Sequence, residues 1–202
     1  MAQQRTCRGS RLRLAFFLIA TGGSLSVPSF AADPVGRREA IDAADAAAGL
    51  LKPDPNVPVC ATPPASGEQL TGDMKLLGEG HSMQISNGGG GDALVNIRHA
   101  DTRKLASRFY LRSGERVTIE GVPDGSYLLQ YAFGPALAAD CKTFTRIIRA
   151  REMPEPDQLK TQVIDDDEHT EVKHGTVSYE LSVSEDANVK PVKIDAAAFN
   201  AE

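Results

Sequence analysis

Four histidines are the first residues whose type suggests chemistry. They are His81, His99, His169 and His174, and no two of them stand at the spacing of a metal-binding motif. His169 and His174 flank Glu171 five positions apart, so a strand would direct their side chains to opposite faces. We therefore expect solvent-exposed turn histidines rather than a pair of metal ligands.

The densest acidic run is Asp165-Asp166-Asp167-Glu168. A calcium site needs about six to eight oxygen ligands that an ordered turn holds in place, and the EF-hand pattern is absent here. A run of acids between two strands is typical of a solvated hairpin tip. The sequence therefore predicts no metal and no other cofactor.

Two further segments contain residue types found in active sites. The glycines at 88–91 have no Lys-Ser/Thr pair after them, so they do not form a phosphate-binding loop. Ser82 follows His81 directly, but no nucleophile elbow surrounds it. We therefore predict no catalytic residues and no enzyme activity. A hydrolase or metal-dependent enzyme, supported only by scattered histidine, serine and acidic residues, is the less favoured alternative.

A basic stretch in an otherwise acidic chain is the best local indication of binding. It consists of Arg98, Arg103, Lys104, Arg108, Arg112 and Arg116. If Arg98, Arg108 and Arg112 share one sheet face with Tyr110, the four side chains form an interaction surface of the kind that arginine and tyrosine favour. The alternative is that they are ordinary solvent-facing strand residues.

The N-terminus has the features of a secretory signal. Four arginines precede the apolar run at 14–20, and Ser29-Phe30-Ala31 places small residues at −3 and −1 of a cleavage site. A membrane-spanning helix needs about 20 apolar residues, which this stretch does not supply. The sequence predicts a signal peptide over 1–31, no transmembrane span after its removal, and a periplasmic or secreted protein.

Charge and cysteine content fit that compartment. The net charge is −5, and it becomes more negative once the four arginines leave, which disfavours nucleic acid as a partner. Cys60 and Cys141 remain after cleavage, and an oxidising compartment favours a disulfide between them. Two separate thiols are the alternative.

The rest of the chain divides into three parts. Residues 32–51 indicate a short helical arm, and residues 52–73 indicate a proline-rich extended linker. From 74 to 202 the apolar residues recur at every second position, which predicts strands with one dry face. The dry positions include Met83 with Ile85, Val95 with Ile97, Phe109 with Leu111, Val117 with Ile119, Tyr127 through Phe133, Phe144 with Ile148, and Val177 through Val183.

Turn signals separate these strands and indicate how they connect. Asn87-Gly88, Ser113-Gly114 and Pro123-Asp124-Gly125 favour short connections between antiparallel neighbours. The fold class is therefore a mainly β antiparallel sandwich, with an open barrel as the alternative. Residues 158–164 and 172–184 suggest a hairpin around 165–169, and Phe199 ends a helical turn that packs on the sandwich.

Residues 109–134 resemble the central strands of carboxypeptidase-regulatory-like and transthyretin-like sandwich modules. Gly121, Val122, Pro123, Gly125 and Tyr127 match the turn pattern of those modules as they stand. The resemblance implies a sandwich topology and a non-catalytic role in folding support, adhesion or ligand contact. It says little about the particular function.

These observations predict an exported, non-catalytic binding or structural module of the cell envelope. Its partner would be another envelope protein or an extracellular ligand, and exposed edge strands also allow a homodimer. A second hypothesis is an inhibitor or immunity-type protein against an exported hydrolase, because the long loop at 135–142 would fit a cleft.

Overall fold

The computed structural model describes residues 52–88, 90–166, 169–181 and 190–201. The predicted signal peptide at 1–31 and the predicted helical arm at 32–51 lie outside the described residues. In chain order the elements are β1 (Gln69–Thr71), β2 (His81–Asn87), β3 (Ala93–His99), β4 (Leu105–Leu111), β5 (Arg116–Val122), β6 (Gly125–Phe133), β7 (Arg149–Glu152), β8 (Asp157–Leu159), β9 (Gln162–Asp165), β10 (Thr170–Lys173), β11 (Thr176–Leu181), β12 (Val192–Ile194) and α1 (Ala196–Asn200).

Two sheets face each other and confirm the predicted antiparallel β-sandwich. The larger sheet has the order β1-β4-β3-β6-β7-β12, with β8 also paired to β6, and the smaller has the order β11-β2-β5. The core between them contains the predicted dry positions, including Met83, Ile97, Phe109, Ile119 and Leu129. Burial of these apolar side chains is the main force that holds the two sheets together.

The short turns connect strands differently from the prediction. We expected antiparallel neighbours across 87–88, 113–114 and 123–125, but β2 and β5 belong to the small sheet while β3, β4 and β6 belong to the large one. Each of these turns therefore crosses from one sheet to the other. Turn chemistry sets the reversal of the chain, whereas the shared apolar core decides which sheet the next strand joins.

The residues that carry the family resemblance build one of these crossings. Gly121 has a φ of 74°, and the backbone of Leu77 passes so close that any side chain there would collide with it. The Tyr127 hydroxyl donates a hydrogen bond to the Pro123 carbonyl at 3.2 Å. Glycine at 121 is thus required by both φ and space, and Tyr127 ties the corner to the strand that follows.

One strand pair in the sandwich is parallel. β11 lies beside β2 with Thr176 opposite Ser82 and Leu181 opposite Asn87. The chain between them is long and passes through most of the large sheet, which a parallel connection requires. The predicted partner of this segment was residues 158–164, so that part of the hairpin prediction is wrong.

The hairpin itself forms, but it is shorter than predicted. β9 and β10 pair around residues 166–169, whereas β8 joins β6 and β11 joins β2. Val183 lies outside the described residues. Phe144 and Ile148 do not share a strand either, because Phe144 only bridges to Leu137 and β7 begins at Arg149.

The outer face of the large sheet is covered by the protein's own chain. A second apolar cluster lies there, containing Leu94, Tyr110, Leu137, Phe144 and Phe199. The last of these confirms that the C-terminal helix α1 packs on the sandwich, with Phe199 fully buried. Consequently the central strands of the large sheet have no face that is open to water.

The proline-rich segment at 52–73 also lies on the sandwich. Its end forms β1 on β4, and Val59 bridges to Ala138. Cys60 and Cys141 are joined by a disulfide across 81 positions, with their α-carbons 5.0 Å apart. The segment that the sequence indicated as a linker is therefore attached to the sandwich through β1 and joined to the loop at 135–142 through Val59 and Cys60.

Candidate functional site

A hairpin projects from the sandwich and is the most exposed ordered element described. β9 and β10 form a two-stranded sheet in which every residue is exposed. Val163 lies opposite Val172, and Ile164 lies opposite Glu171. Within the described part of the chain, neither strand pairs with the two sheets of the sandwich.

The hairpin carries apolar side chains that a soluble surface normally avoids. Val163 is 63% exposed and Val172 is 52% exposed, and the register places both on the same face. Ile164, on the opposite face, is 45% exposed. Branched apolar residues therefore face water on both sides of this hairpin.

His81 is the buried centre of the hairpin's attachment to the sandwich. Its side chain has no exposed surface, and it lies on the same face of β2 as Met83 and Ile85. Its Nδ1 accepts a hydrogen bond from the Gly175 N–H at 2.8 Å. Because Nδ1 is occupied as an acceptor, the ring proton lies on Nε2, which donates to Asp124 Oδ1 at 3.0 Å.

Asp124 holds the other end of the hairpin. Its two carboxylate oxygens each accept the Thr161 N–H at 3.1 Å, and Oδ1 also accepts from the Thr161 hydroxyl. The hydrogen bonds from Thr161 and from His81 lower the pKa of Asp124 to about 2. The residue that precedes β9 is thereby tied to the corner between β5 and β6.

His174 completes the attachment at the end of β10. Its ring packs edge-on against His81 with centroids 5.4 Å apart, and its Nδ1 lies 3.2 Å from the Thr161 hydroxyl. Since that hydroxyl donates to Asp124, it receives the proton of His174 Nδ1. We call His81, Asp124, Thr161, His174 and Gly175 the hairpin base.

The hydrogen-bond directions in the hairpin base favour positioning over catalysis. In a nucleophilic triad the hydroxyl donates to a histidine, which in turn donates to a carboxylate. Here both the Thr161 hydroxyl and His81 Nε2 donate to Asp124, so the hydroxyl proton lies on the carboxylate side and not towards a histidine nitrogen. The cluster fixes both ends of the hairpin to the sandwich, and its hydrogen-bond directions differ from those of a nucleophilic triad.

The predicted arginine–tyrosine surface is not on the surface. Arg98 and Arg108 are each 3% exposed, and Tyr110 is 2% exposed. The alternation correctly places them on the face of the sheet that does not carry Ile97 and Phe109, but α1 and the neighbouring loops cover that face. The prediction of an exposed patch is therefore wrong for these three residues. An alternation of period two predicts on which face of the sheet a side chain lies, but it does not predict whether other elements cover that face.

The buried arginines bind the C-terminal helix instead. Arg98 donates to Gln130 at 2.7 Å and to the Phe199 carbonyl at 3.1 Å. Arg108 donates to Asn96 at 2.7 Å and to the same Phe199 carbonyl at 3.3 Å, with its guanidinium 5.4 Å from the Phe199 ring. Two charged side chains thus satisfy carbonyl groups that a helix end leaves free.

The fourth predicted residue, Arg112, also contacts the protein's own chain. Its guanidinium donates to the Pro64 carbonyl at 3.1 Å, and its backbone N–H donates to the Ser66 hydroxyl at 3.0 Å. Burial and a hydrogen bond to Asp92 raise the pKa of the Tyr110 hydroxyl. Arg98, Arg108 and Arg112 therefore attach α1 and the proline-rich segment to the large sheet.

The sequence contains a signal for part of the hairpin base. His81 stands two and four positions before Met83 and Ile85, so the three side chains share one face of a strand. This pattern predicts a buried histidine that needs hydrogen-bond partners. Asp124 stands in the turn that the family resemblance singles out. The contact with Thr161 had no local signal, because it joins residues 37 positions apart.

In the parts of the chain that the structure describes, no group of three or more His, Cys, Asp and Glu residues is placed to hold a metal ion. The described ranges also contain no helix that is long and apolar enough to cross a membrane. The fold and the site define a class: a disulfide-linked β-sandwich that presents one exposed hairpin from a base centred on the buried His81. No family model, curated protein or solved structure matches this chain.

Proposed function

We propose that this protein is an exported, non-catalytic binding module of the cell envelope, and that the β9–β10 hairpin is its binding element. The observation that carries the proposal is the exposure of Val163, Ile164 and Val172 on a hairpin whose two ends are fixed. A fixed, exposed apolar element loses little conformational freedom on binding, which favours affinity. Its partner is another protein with a complementary apolar surface.

The proposed location is the periplasm or the exterior of the cell. It is supported by the signal-like sequence at 1–31 and is compatible with the Cys60–Cys141 disulfide. The similarity of residues 109–134 to carboxypeptidase-regulatory-like and transthyretin-like modules supports the non-catalytic role. An intact mass that lacks residues 1–31 would support export, and a retained N-terminus would contradict it.

The binding role is tested by site-specific crosslinking in the cells that make the protein. A photo-crosslinking amino acid is incorporated at position 163, on the hairpin, or at position 77 as the control. Leu77 is 53% exposed, so the two positions are matched in solvent access and apolar character. We expect a covalent adduct with a different protein at position 163, at several times the yield at position 77.

Mass spectrometry of the adducts separates the outcomes. Equal yields at the two positions would contradict the proposal, because they would reflect exposure alone. Adducts at position 163 that contain only this chain would also contradict binding to a different protein.

A further inference from the structure

We propose that two copies of this chain pair through the outer edges of their β10 strands, which joins the two hairpins into one four-stranded sheet. The inference concerns the element used in the proposed function, but it rests on the hairpin's edge and charges. Partner binding rests on its apolar faces, so the two ideas can fail separately.

The hydrogen-bond register leaves the backbone of Val172 available for this pairing. Asp166 N–H bonds to the His169 carbonyl, so 166 and 169 are a hydrogen-bonded pair next to Asp165 and Thr170. Alternation then makes Val163 and Val172 a non-hydrogen-bonded pair. The N–H and C=O of Val172 therefore point away from β9, and no described strand pairs with them.

The charges on β10 select one register for two copies. When Val172 lies opposite Val172 of a second copy in antiparallel orientation, Glu171 lies opposite the second copy's Lys173, and the reverse pair forms on the other side. These pairs occupy non-hydrogen-bonded positions, where facing side chains approach most closely. The same two residues already attract each other within one strand, with Lys173 Nζ 3.0 Å from Glu171 Oε2.

The pairing also brings the exposed valines together. In one copy Val163 and Val172 lie on the same face. Across the joined sheet they form a continuous row of Val163, Val172, and the second copy's Val172 and Val163. Each valine at the centre then loses exposure, and the two hairpins present a single wider apolar face to a partner.

The opposite edge of the hairpin is less suited to the same arrangement. If Val163 lay opposite Val163 of a second copy, Gln162 would face Ile164, and the facing positions would supply no charge pair. The structure therefore favours β10 over β9 as the pairing edge.

Charge reversal in mixed samples tests the proposed register. The variants E171K and K173E each place like charges opposite each other in the dimer, and we expect roughly tenfold or greater weakening of self-association for each. An equimolar mixture of the E171K chain and the K173E chain restores opposite charges, so we expect a mixed dimer. Sedimentation velocity over a concentration series measures these constants on the protein purified as its host produces it.

The equimolar mixture separates the proposed β10–β10 dimer from a monomer and from a dimer formed elsewhere on the surface. A wild-type protein that stays monomeric at all concentrations would overturn the proposal. So would a dimer that the single variants leave unchanged, or single variants that fail to recombine in the mixture. Each variant is at an exposed position, so circular dichroism should show an unchanged sandwich.

Cysteine crosslinking supplies an independent geometric test. In the proposed dimer the two Val172 α-carbons are about 5.5 Å apart, within the range of a disulfide. The two Val163 α-carbons are three strand spacings apart, about 14 Å, which is beyond that range. We expect covalent dimers for V172C and none for V163C, and equal yields or the reverse order would overturn the proposal.

Discussion

Asp124 shows how one surface carboxylate can control the attachment of an entire element. It accepts hydrogen bonds from Thr161, just before β9, and from His81. His81 in turn accepts a hydrogen bond from the N–H of Gly175, just after β10. The hairpin's two ends therefore share one chain of hydrogen bonds. Changes at residue 124 should affect the hairpin before they affect the sandwich core.

This arrangement predicts an acid-sensitive hairpin. The pKa of Asp124 is lowered from 3.8 to about 2, so the ionised carboxylate stabilises the folded state fully above pH 3.8. That contribution is lost as the pH falls through about 2. The amide protection factors over residues 161–175, which are exchange rates corrected for the intrinsic rate at each pH, should fall across this window while β3 and β6 stay protected.

The D124N variant is the control for that prediction. It should show low protection factors in the hairpin at every pH and lose the acid transition, because no carboxyl remains to titrate at position 124. A wild-type hairpin that keeps the same protection factors at pH 5 and at pH 2 would contradict the role given to Asp124.

Arg98 predicts a second effect at the scale of one residue. The R98M variant keeps an apolar stem but removes the donors to Gln130 and to the Phe199 carbonyl. Because hydrogen bonds to charged groups contribute about 1.5–3 kcal/mol, the free energy of unfolding should fall by that amount. Urea unfolding at neutral pH measures it.

Arg103 offers a matched comparison for Arg98. Its side chain is 53% exposed and pairs with Glu152, so R103M should cost less than about 1 kcal/mol. Equal losses in R98M and R103M would show that the buried contacts to α1 add nothing beyond a surface ion pair.

At the scale of elements, the large sheet is unusual because its own chain covers its outer face. The C-terminal helix, the loop at 135–142 and the proline-rich segment all lie there, and the disulfide joins the last two. The sandwich core alone would leave Leu94, Tyr110 and Phe144 exposed. These attachments therefore complete the burial of the large sheet.

The disulfide should contribute strongly to stability. It closes a loop of 81 positions, and restricting the unfolded chain to that extent stabilises the native state by about 2–5 kcal/mol. Replacing both Cys60 and Cys141 with serine should lower the free energy of unfolding by this amount. Reducing the wild-type protein should give the same loss, and an unchanged urea midpoint in either experiment would contradict the prediction.

Individual strands could be predicted from the sequence, but the elements that cover their outer faces could not. The alternating positions of Ile97 and Phe109 correctly identified the strand faces that form the core, since apolar side chains must point to a dry interior. The same alternation put Arg98 and Arg108 on the opposite face, and nothing local to those strands indicates that α1, about a hundred positions later, covers it. Long-range contacts of this kind have no periodic signal.

The turns show the same limit for topology. Ser113-Gly114 and Pro123-Asp124 were correctly identified as reversals, but each one passes between sheets. A reversal fixes the local direction of the chain, while the choice of sheet depends on which strands share the core. The hairpin around 166–169 was predictable because its pairing is local.

At the scale of the whole molecule, the sandwich serves as a rigid support for one exposed element. Both faces of the central strands of the large sheet and the inner face of the small sheet are buried, whereas β9 and β10 are exposed throughout. The apolar core therefore lies in the sandwich, whereas the hairpin carries the exposed Val163, Ile164 and Val172. Partner binding should depend on the side chains on the two faces of the hairpin, and it should tolerate substitutions elsewhere on the surface.

Partner recovery with matched surface variants tests this most directly. The double variant V163D/V172D removes the apolar face of the hairpin, and V57D/L77D makes the same chemical change at exposed apolar positions elsewhere. Immobilised wild-type protein and V57D/L77D should recover the same envelope protein in equal amounts, while V163D/V172D should recover at least about tenfold less. Equal recovery by all three, with each variant folded, would contradict the assignment of binding to the hairpin.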